Sequence, residues 1–203
     1  MDFPTFLQRA RGQNFVPPRI VVALDPGETT GYALFVAGRL QAVRQLKTKT
    51  VHAFTETFHS LGHFATLSPH EGQRPVASQR WKPFKQQCGK PSVVVYEDYR
   101  IYSWKTDHHA WASLHTPQCI GALKAIATIN QLSLYTNLAQ QPKGFCTDEK
   151  LEEWGYYKPN MRHARDAIRH GCYYLLHNFK PDSNPTFAAH GSGDPKHYNG
   201  NPA

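Results

Sequence analysis

Ile20-Val21-Val22-Ala23-Leu24-Asp25-Pro26-Gly27-Glu28-Thr29-Thr30-Gly31 decides the fold of this chain. An aliphatic run ends in one aspartate, and a Pro-Gly turn follows at once. Two threonines and a second glycine then lead into another apolar run, Tyr32-Ala33-Leu34-Phe35-Val36. The pattern is strand, turn, strand, with a carboxylate at the end of a buried strand. Such a strand does not hold an ionised side chain cheaply, so a charge there is normally paired or bound to a cation. Asp25 therefore reads as a metal ligand. The plainer reading is a hairpin aspartate that caps its own turn.

Working outward, strands are expected at about 19–25, 31–37 and 40–47, with Gly38-Arg39 turning between the last two. Connections this short make the three an antiparallel meander. Val51, Phe54, Phe58, Leu61 and Phe64 fall at helical spacing, which places a helix over 50–64. Ser92-Val93-Val94-Val95-Tyr96 is a second buried strand, and it ends at Glu97-Asp98. Strand alternation sends those two acids to opposite faces. A helix over 107–129 follows, with a break near Thr116-Pro117, because proline starts helices well and continues them badly. A strand over 132–138 comes next, then a short helix capped by Thr147. The last helix, 161–179, turns Ala164, Ala167, Ile168, Gly171, Cys172, Leu175 and Leu176 inward.

The remaining segments differ in composition. Residues 1–18 read as a basic lead-in to a domain spanning 19–180, and 181–203 as a disordered tail poor in aliphatics. Between them, 68–91 is a long proline-rich surface excursion carrying Arg74, Arg80, Lys82, Lys85 and Lys90, anchored by Trp81 and Phe84. Basic residues interleaved with aromatics suit contact with a nucleic-acid strand. A merely solvated loop explains them equally well.

The chain has 203 residues, 40% of them hydrophobic, which is enough for one domain with a real core. Its net charge of +8 and pI near 9.4 suit a polyanionic partner. Cys88, Cys119, Cys146 and Cys172 are isolated, which argues against a zinc ribbon or disulfide scaffold and for reduced thiols. The start, Met1-Asp2-Phe3-Pro4, has no signal-peptide character, and no stretch approaches a membrane span. A soluble, cytoplasmic protein is expected, with neither membrane association nor a small-molecule cofactor. The His108-His109 pair is no reason to expect a transition-metal site, since the histidines show no pattern.

Three acids stand out: Asp25 and Glu97 at strand ends, and Asp166 in the last helix. His163 precedes Asp166 by three positions, so both side chains leave the same helix face. If the two strands lie side by side, a helix across their ends brings all four groups together. Clustered carboxylates repel and call for divalent cations, and hard oxygen ligands select magnesium or manganese. Two such ions can clamp an in-line phosphodiester hydrolysis. Taken singly, Glu97 reads as a surface acid, and Asp166 as a partner of Arg162, Arg165 or Arg169 on a solvated helix.

The combination of Ala23-Leu24-Asp25-Pro26-Gly27 with Thr29-Thr30-Gly31, Val93-Val94-Val95-Tyr96-Glu97-Asp98 and His163-Ala164-Arg165-Asp166-Ala167 resembles the RuvC-type Holliday junction resolvases. These belong to the ribonuclease H-like superfamily, and the likeness is to phage-encoded members in particular. It spans about 19–179. It implies an α/β fold with a mixed five-stranded sheet, an antiparallel meander plus parallel strands, flanked by helices. It also implies a homodimer making paired nicks across four-way DNA in the (host) cytoplasm. By position, Asp25, Glu97 and Asp166 would bind Mg2+, with Mn2+ substituting, and His163 would be a fourth ligand or stand beside the attacked phosphate. Lys143, Lys150 and Lys158 lie where the family uses lysines near the scissile phosphate. Tyr99, Tyr102 and Trp104 are wedge candidates, and Arg100 a further DNA contact. The ambiguity at Asp98 and the long basic loop are departures, and the loop leaves flaps, forks or other branched DNA open as substrates. The competing readings are a ribonuclease H-like nuclease acting on hybrids, flaps or damaged ends, and a catalytically inactive DNA-binding module.

Overall fold

The computed structural model describes residues 1–59, 61, 91–99 and 114–179. Its strands are β1 (Ile20–Asp25), β2 (Thr29–Val36), β3 (Arg39–Lys47), β4 (Val93–Glu97) and β5 (Leu134–Asn137). They form one sheet in the order β3-β2-β1-β4-β5. The first three pair antiparallel, while β4 runs parallel to β1 and β5 parallel to β4. This is the mixed sheet implied by the resemblance.

Both faces of the sheet are covered, which is why β1 and β4 read as unbroken apolar runs rather than alternating ones. Strand parity divides the core in two. Val21, Ala23, Ala33, Phe35, Val43, Val93 and Val95 face one helical layer. Its helices are α1 (Phe3–Arg11), α5 (Asp148–Glu153) and α6 (Arg162–Tyr173), and the last of these continues into a π-helical turn at Tyr174–Asn178. Ile20, Val22, Leu24, Tyr32, Leu34, Val94 and Tyr96 face the other layer, α2 (Val51–Phe58) and α3 (His115–Ile129). A short α4 (Gln140–Phe145) bridges β5 to α5.

Residues 1–18 are more than a lead-in. Asp2 caps α1 by accepting from Thr5 N (3.0 Å), and Phe3 and Leu7 are buried in the core. Phe3 meets Trp154 edge-on at 4.9 Å between ring centroids. Arg11 donates to the carbonyls of Leu176 and Phe179, tying α1 to the turn that follows α6. The i, i+4 pair Phe3/Leu7 carries this helix, and nine residues give too short a periodic signal to read.

Other differences are local. The β2–β3 turn is Ala37-Gly38, one residue earlier than expected, and both residues have positive φ as a two-residue type I′ turn requires. Helix α2 spans Val51–Phe58, with Leu61 buried just beyond it, and residues 62–64 of the expected helix lie outside the described residues. Thr116-Pro117 lies in the first turn of α3, where proline is tolerated, and the part of the expected helix at 107–113 lies outside the described residues. The fifth strand shortens to Leu134–Asn137, and α4 has no counterpart in the expected pattern.

Outside the described residues lie Phe64, loop positions 68–90 with Arg74, Arg80, Lys82, Lys85, Trp81 and Phe84, then Arg100, Tyr102, Trp104, residues 107–113 and the tail 181–203. Among the described residues no helix is long and apolar enough to cross a membrane.

Candidate functional site

One row of residues crosses the whole sheet. Gln45 of β3 pairs with Gly31 of β2, and Gly31 with Asp25 of β1. Leu24 pairs with Tyr96, which sets Asp25 beside Glu97 at the ends of β1 and β4, and Glu97 pairs with Asn137 of β5. Asp25 and Glu97 share parity with Val21, Ala23, Val93 and Val95, so they face α6, whereas Asp98 has the opposite parity.

The turn after Asp25 is fixed by its threonines. Thr48 Oγ donates to the Gly27 carbonyl (2.6 Å), and the buried Thr30 hydroxyl lies 2.7 Å from that of Thr48. This network, not an aspartate cap, closes the Pro-Gly turn and leaves the Asp25 carboxylate free to point at α6.

Helix α6 lies over the row. A Cβ built on Gly31 would overlap the His163 carbonyl and come within 2.9 Å of Ala164 N, so only glycine permits this approach. The Gln45 side chain accepts from His163 N (2.8 Å) and Ala164 N (3.4 Å), standing in for the side-chain cap that Met161 does not supply. His163 Nδ1 then reaches Asp25 Oδ2 at 2.7 Å. One turn on, Asp166 is only 4% exposed. At the far end His170, fully buried, donates from Nε2 to Glu97 Oε2 (2.9 Å), and its carbonyl accepts from Asn137 Nδ2 (3.2 Å).

Lys143 of α4 closes the group. Its Nζ lies 3.3 Å from Glu97 Oε2 and 3.4 Å from Asp166 Oδ2. The other oxygen of Asp166 is held by Arg169 Nη1 at 2.6 Å. Arg169 also grips Asp148 and donates from Nε to the Cys146 carbonyl (2.8 Å). The reading of Asp166 as an arginine partner is thus half right: it pairs with Arg169, but in a buried setting and not on a solvated face.

The electrostatics follow from this crowding. Burial raises the Asp25 pKa above the usual carboxylate range, the charges of Glu97 and Asp166 add to the rise, and the hydrogen bond from His163 opposes it. Burial would raise Glu97 as well, but the His170 hydrogen bond and the Lys143 charge outweigh it and hold Glu97 below its ordinary value. Desolvation would lower Lys143, yet Glu97 and Asp166 raise it, so the ammonium stays charged. His163 is raised chiefly by its hydrogen bond to Asp25.

The four expected groups, Asp25, Glu97, His163 and Asp166, therefore meet at one place. With Lys143 seated between the acids, no three Asp, Glu, His or Cys side chains among the described residues close a cage as they stand. The ammonium is itself the relevant observation, because a cation is held where Glu97 and Asp166 converge. Carboxylate oxygens are the ligand type that a hard divalent ion takes, and Glu97 and Asp166 present them on either side of this ammonium.

Of the other lysines, Lys150 donates to the Phe145 carbonyl (2.8 Å) and lies over the Phe145 ring, while Lys158 accepts from Arg165 through its carbonyl. Neither has a contact with the acids among the described residues. Tyr99 packs, half-buried, against the α2–α3 side of the core. Cys119, Cys146 and Cys172 are buried free thiols, and burial pushes Cys146 up to about 12. Sequence reading did not single out Gln45, Asn137 and His170.

No protein-family model and no curated protein matches the chain. Among solved structures it is similar to Thermus thermophilus RuvC in complex with a Holliday junction substrate, at 16% identity over 77% of this chain and 92% of that one, with a TM-score of 0.49. It is similar to Thermus thermophilus RuvC by itself at 15% identity, 77% and 93% coverage and a TM-score of 0.49. The yeast mitochondrial Holliday junction resolvase Ydc2 is similar at 10% identity, 85% and 84% coverage and a TM-score of 0.43.

Proposed function

We propose that the chain is a divalent-metal-dependent endonuclease that acts on four-way or other branched DNA by phosphodiester hydrolysis, working as a homodimer. One observation carries this reading: two strand-end acids, Asp25 and Glu97, lie side by side under a helix that brings His163 and Asp166 onto them. A binding module gains nothing from three clustered carboxylates facing phosphates, so an inert DNA binder is the poorer explanation.

Asp25, Glu97, Asp166 and His163 would hold magnesium or manganese. Bound there, the ions supply a water nucleophile at neutral pH and neutralise charge on the phosphoryl group. The chain's own groups do the rest. Gln45 and Gly31 hold the start of α6 against the sheet, so His163 stays over Asp25. His170 and Arg169 each fix one carboxylate oxygen, of Glu97 and Asp166. Lys143, 39% exposed, can turn from those acids to a phosphate oxygen, offsetting the negative charge that repels the substrate. Two nicks placed symmetrically require two such sites, which a two-fold dimer provides.

The test is cleavage of a labelled immobile four-way junction beside flaps, forks, an RNA–DNA hybrid and a matched linear duplex. Each is incubated with magnesium, manganese or EDTA, and Asp25→Asn is the control. Symmetric junction nicks that need both metal and Asp25 support the proposal. Cutting confined to the hybrid would move the activity to another ribonuclease H-like class. Cleavage that persists in Asp25→Asn would overturn the site.

A further inference from the structure

Arg162, Arg165 and Arg169 recur at i, i+3 and i+7 along α6, on one side of the helix. With Lys143, Asp148 and Asp166 they line a cavity of about 310 Å3. Four cations there face two carboxylates. Arg169 alone spans both acids, and Lys143 also reaches Asp166. Two guanidinium groups are left short of partners. Arg162 is exposed and makes no ion pair among the described residues. Arg165 has a buried Nε with no hydrogen-bond acceptor, since Asp148 Oδ1 is 3.6 Å away.

Arg165 is nonetheless fixed in place. Its Nη1 donates to the Lys158 carbonyl (2.8 Å), and its guanidinium lies over the Tyr157 ring at 4.9 Å. Side chains held this way lose little further freedom when a ligand arrives. Among the described residues the cavity wall carries no aromatic or aliphatic side chain on which a base could stack. What it offers is planar donor forks in excess of acceptors, the complement of a phosphate.

We propose that this cavity binds a backbone phosphate of the nucleic-acid strand, neighbouring the phosphate presented to the acids. The inference rests on the nuclease reading and adds how the strand is held. Asp166 and Lys143 belong both to the cavity wall and to the acid cluster, so a phosphate seated among the arginines lies next to the reacting one. The acids repel an approaching strand, and a cation-rich seat one step away offsets that repulsion and sets the strand's register. It reads no sequence, because it touches only the backbone.

The test uses Asp25→Asn protein, so that binding is read without cutting, and follows the anisotropy of a labelled four-way junction and a labelled single strand across a salt series. Arg162→Ala, at an exposed side chain, is the primary variant, and Arg165→Lys, which keeps the charge but loses the fork, is the second. The expectation for Arg162→Ala is roughly three- to tenfold weaker binding, equal across sequences, with a slope of log K against log salt flatter by about one. Arg165→Lys should weaken binding with the slope unchanged. Wild-type affinity and slope in both variants would overturn the inference while leaving the nuclease reading intact. If the parent protein binds no nucleic acid at all, both fall together. If Arg165→Lys does not fold, Arg162→Ala decides alone.

Discussion

Gly31 lies directly beneath the His163 carbonyl, so close that any side chain on Gly31 would occupy the space of the helix backbone. Gly31 is also the register partner of Asp25, the residue that the His163 imidazole holds. The last glycine of the turn motif is therefore a spacing device that seats α6 on the sheet. Gly31→Ala is expected to push α6 outward, costing about 1–3 kcal/mol or more. Cleavage should fall further than stability alone explains. Urea denaturation read beside cleavage of the folded fraction checks this, and unchanged values of both would refute it.

Lys143 gives a prediction of opposite signs. Replacing it with methionine removes the cation between Glu97 and Asp166 and leaves two facing carboxylates. A divalent ion should then bind more tightly, by calorimetric titration with manganese, while cleavage drops because the phosphate loses its ammonium partner. Weaker manganese binding would mean that the ammonium and the ion do not share this position.

His170 fixes Glu97 from the buried side of α6. Outer hydrogen-bond partners of metal ligands typically account for about 10–100-fold in affinity or activity. His170→Ala should lower manganese affinity within that range and leave junction binding in Asp25→Asn protein unchanged. An effect on thermal stability with no change in ion affinity would make His170 a packing residue only.

Phe3 links the N-terminal helix to the core through Trp154 and Tyr156. Phe3→Ala should cost about 3–5 kcal/mol, as for other buried aromatic truncations, measurable as a shift in the urea midpoint. A loss under 1 kcal/mol would show that α1 contributes little to the fold.

What the sequence carried plainly was local. The apolar run ending at Asp25, the matching run ending at Glu97 and the i, i+3 pair His163/Asp166 each announce themselves within a few residues. The partners of those groups do not, because they come from far along the chain. His170 meets Glu97 across 73 residues and His163 N meets Gln45 across 118. Parity offered a faint signal: Gln45 and Asn137 are polar residues at strand positions whose neighbours, Val43 and Tyr135, turn toward α6. Helix α1 was hidden for a different reason, since it is nine residues long and only Phe3 and Leu7, one turn apart, are buried, which gives too short a periodic signal. The pairing of Asp166 with Arg169 was weighed from spacing, but its burial depends on α5 and on Asp148, which spacing does not reveal.

The row across the sheet also has a temporal meaning. Its acids lie near the start and middle of the chain, while the helix that completes them comes after residue 160. A polypeptide still leaving the ribosome, surrounded by nucleic acid, holds Asp25 and Glu97 with nothing laid over them. A fragment that ends before α6 holds Asp25 and Glu97 without His163 or Asp166. If the proposed activity holds, the chain would acquire the means to cut only after α6 has docked.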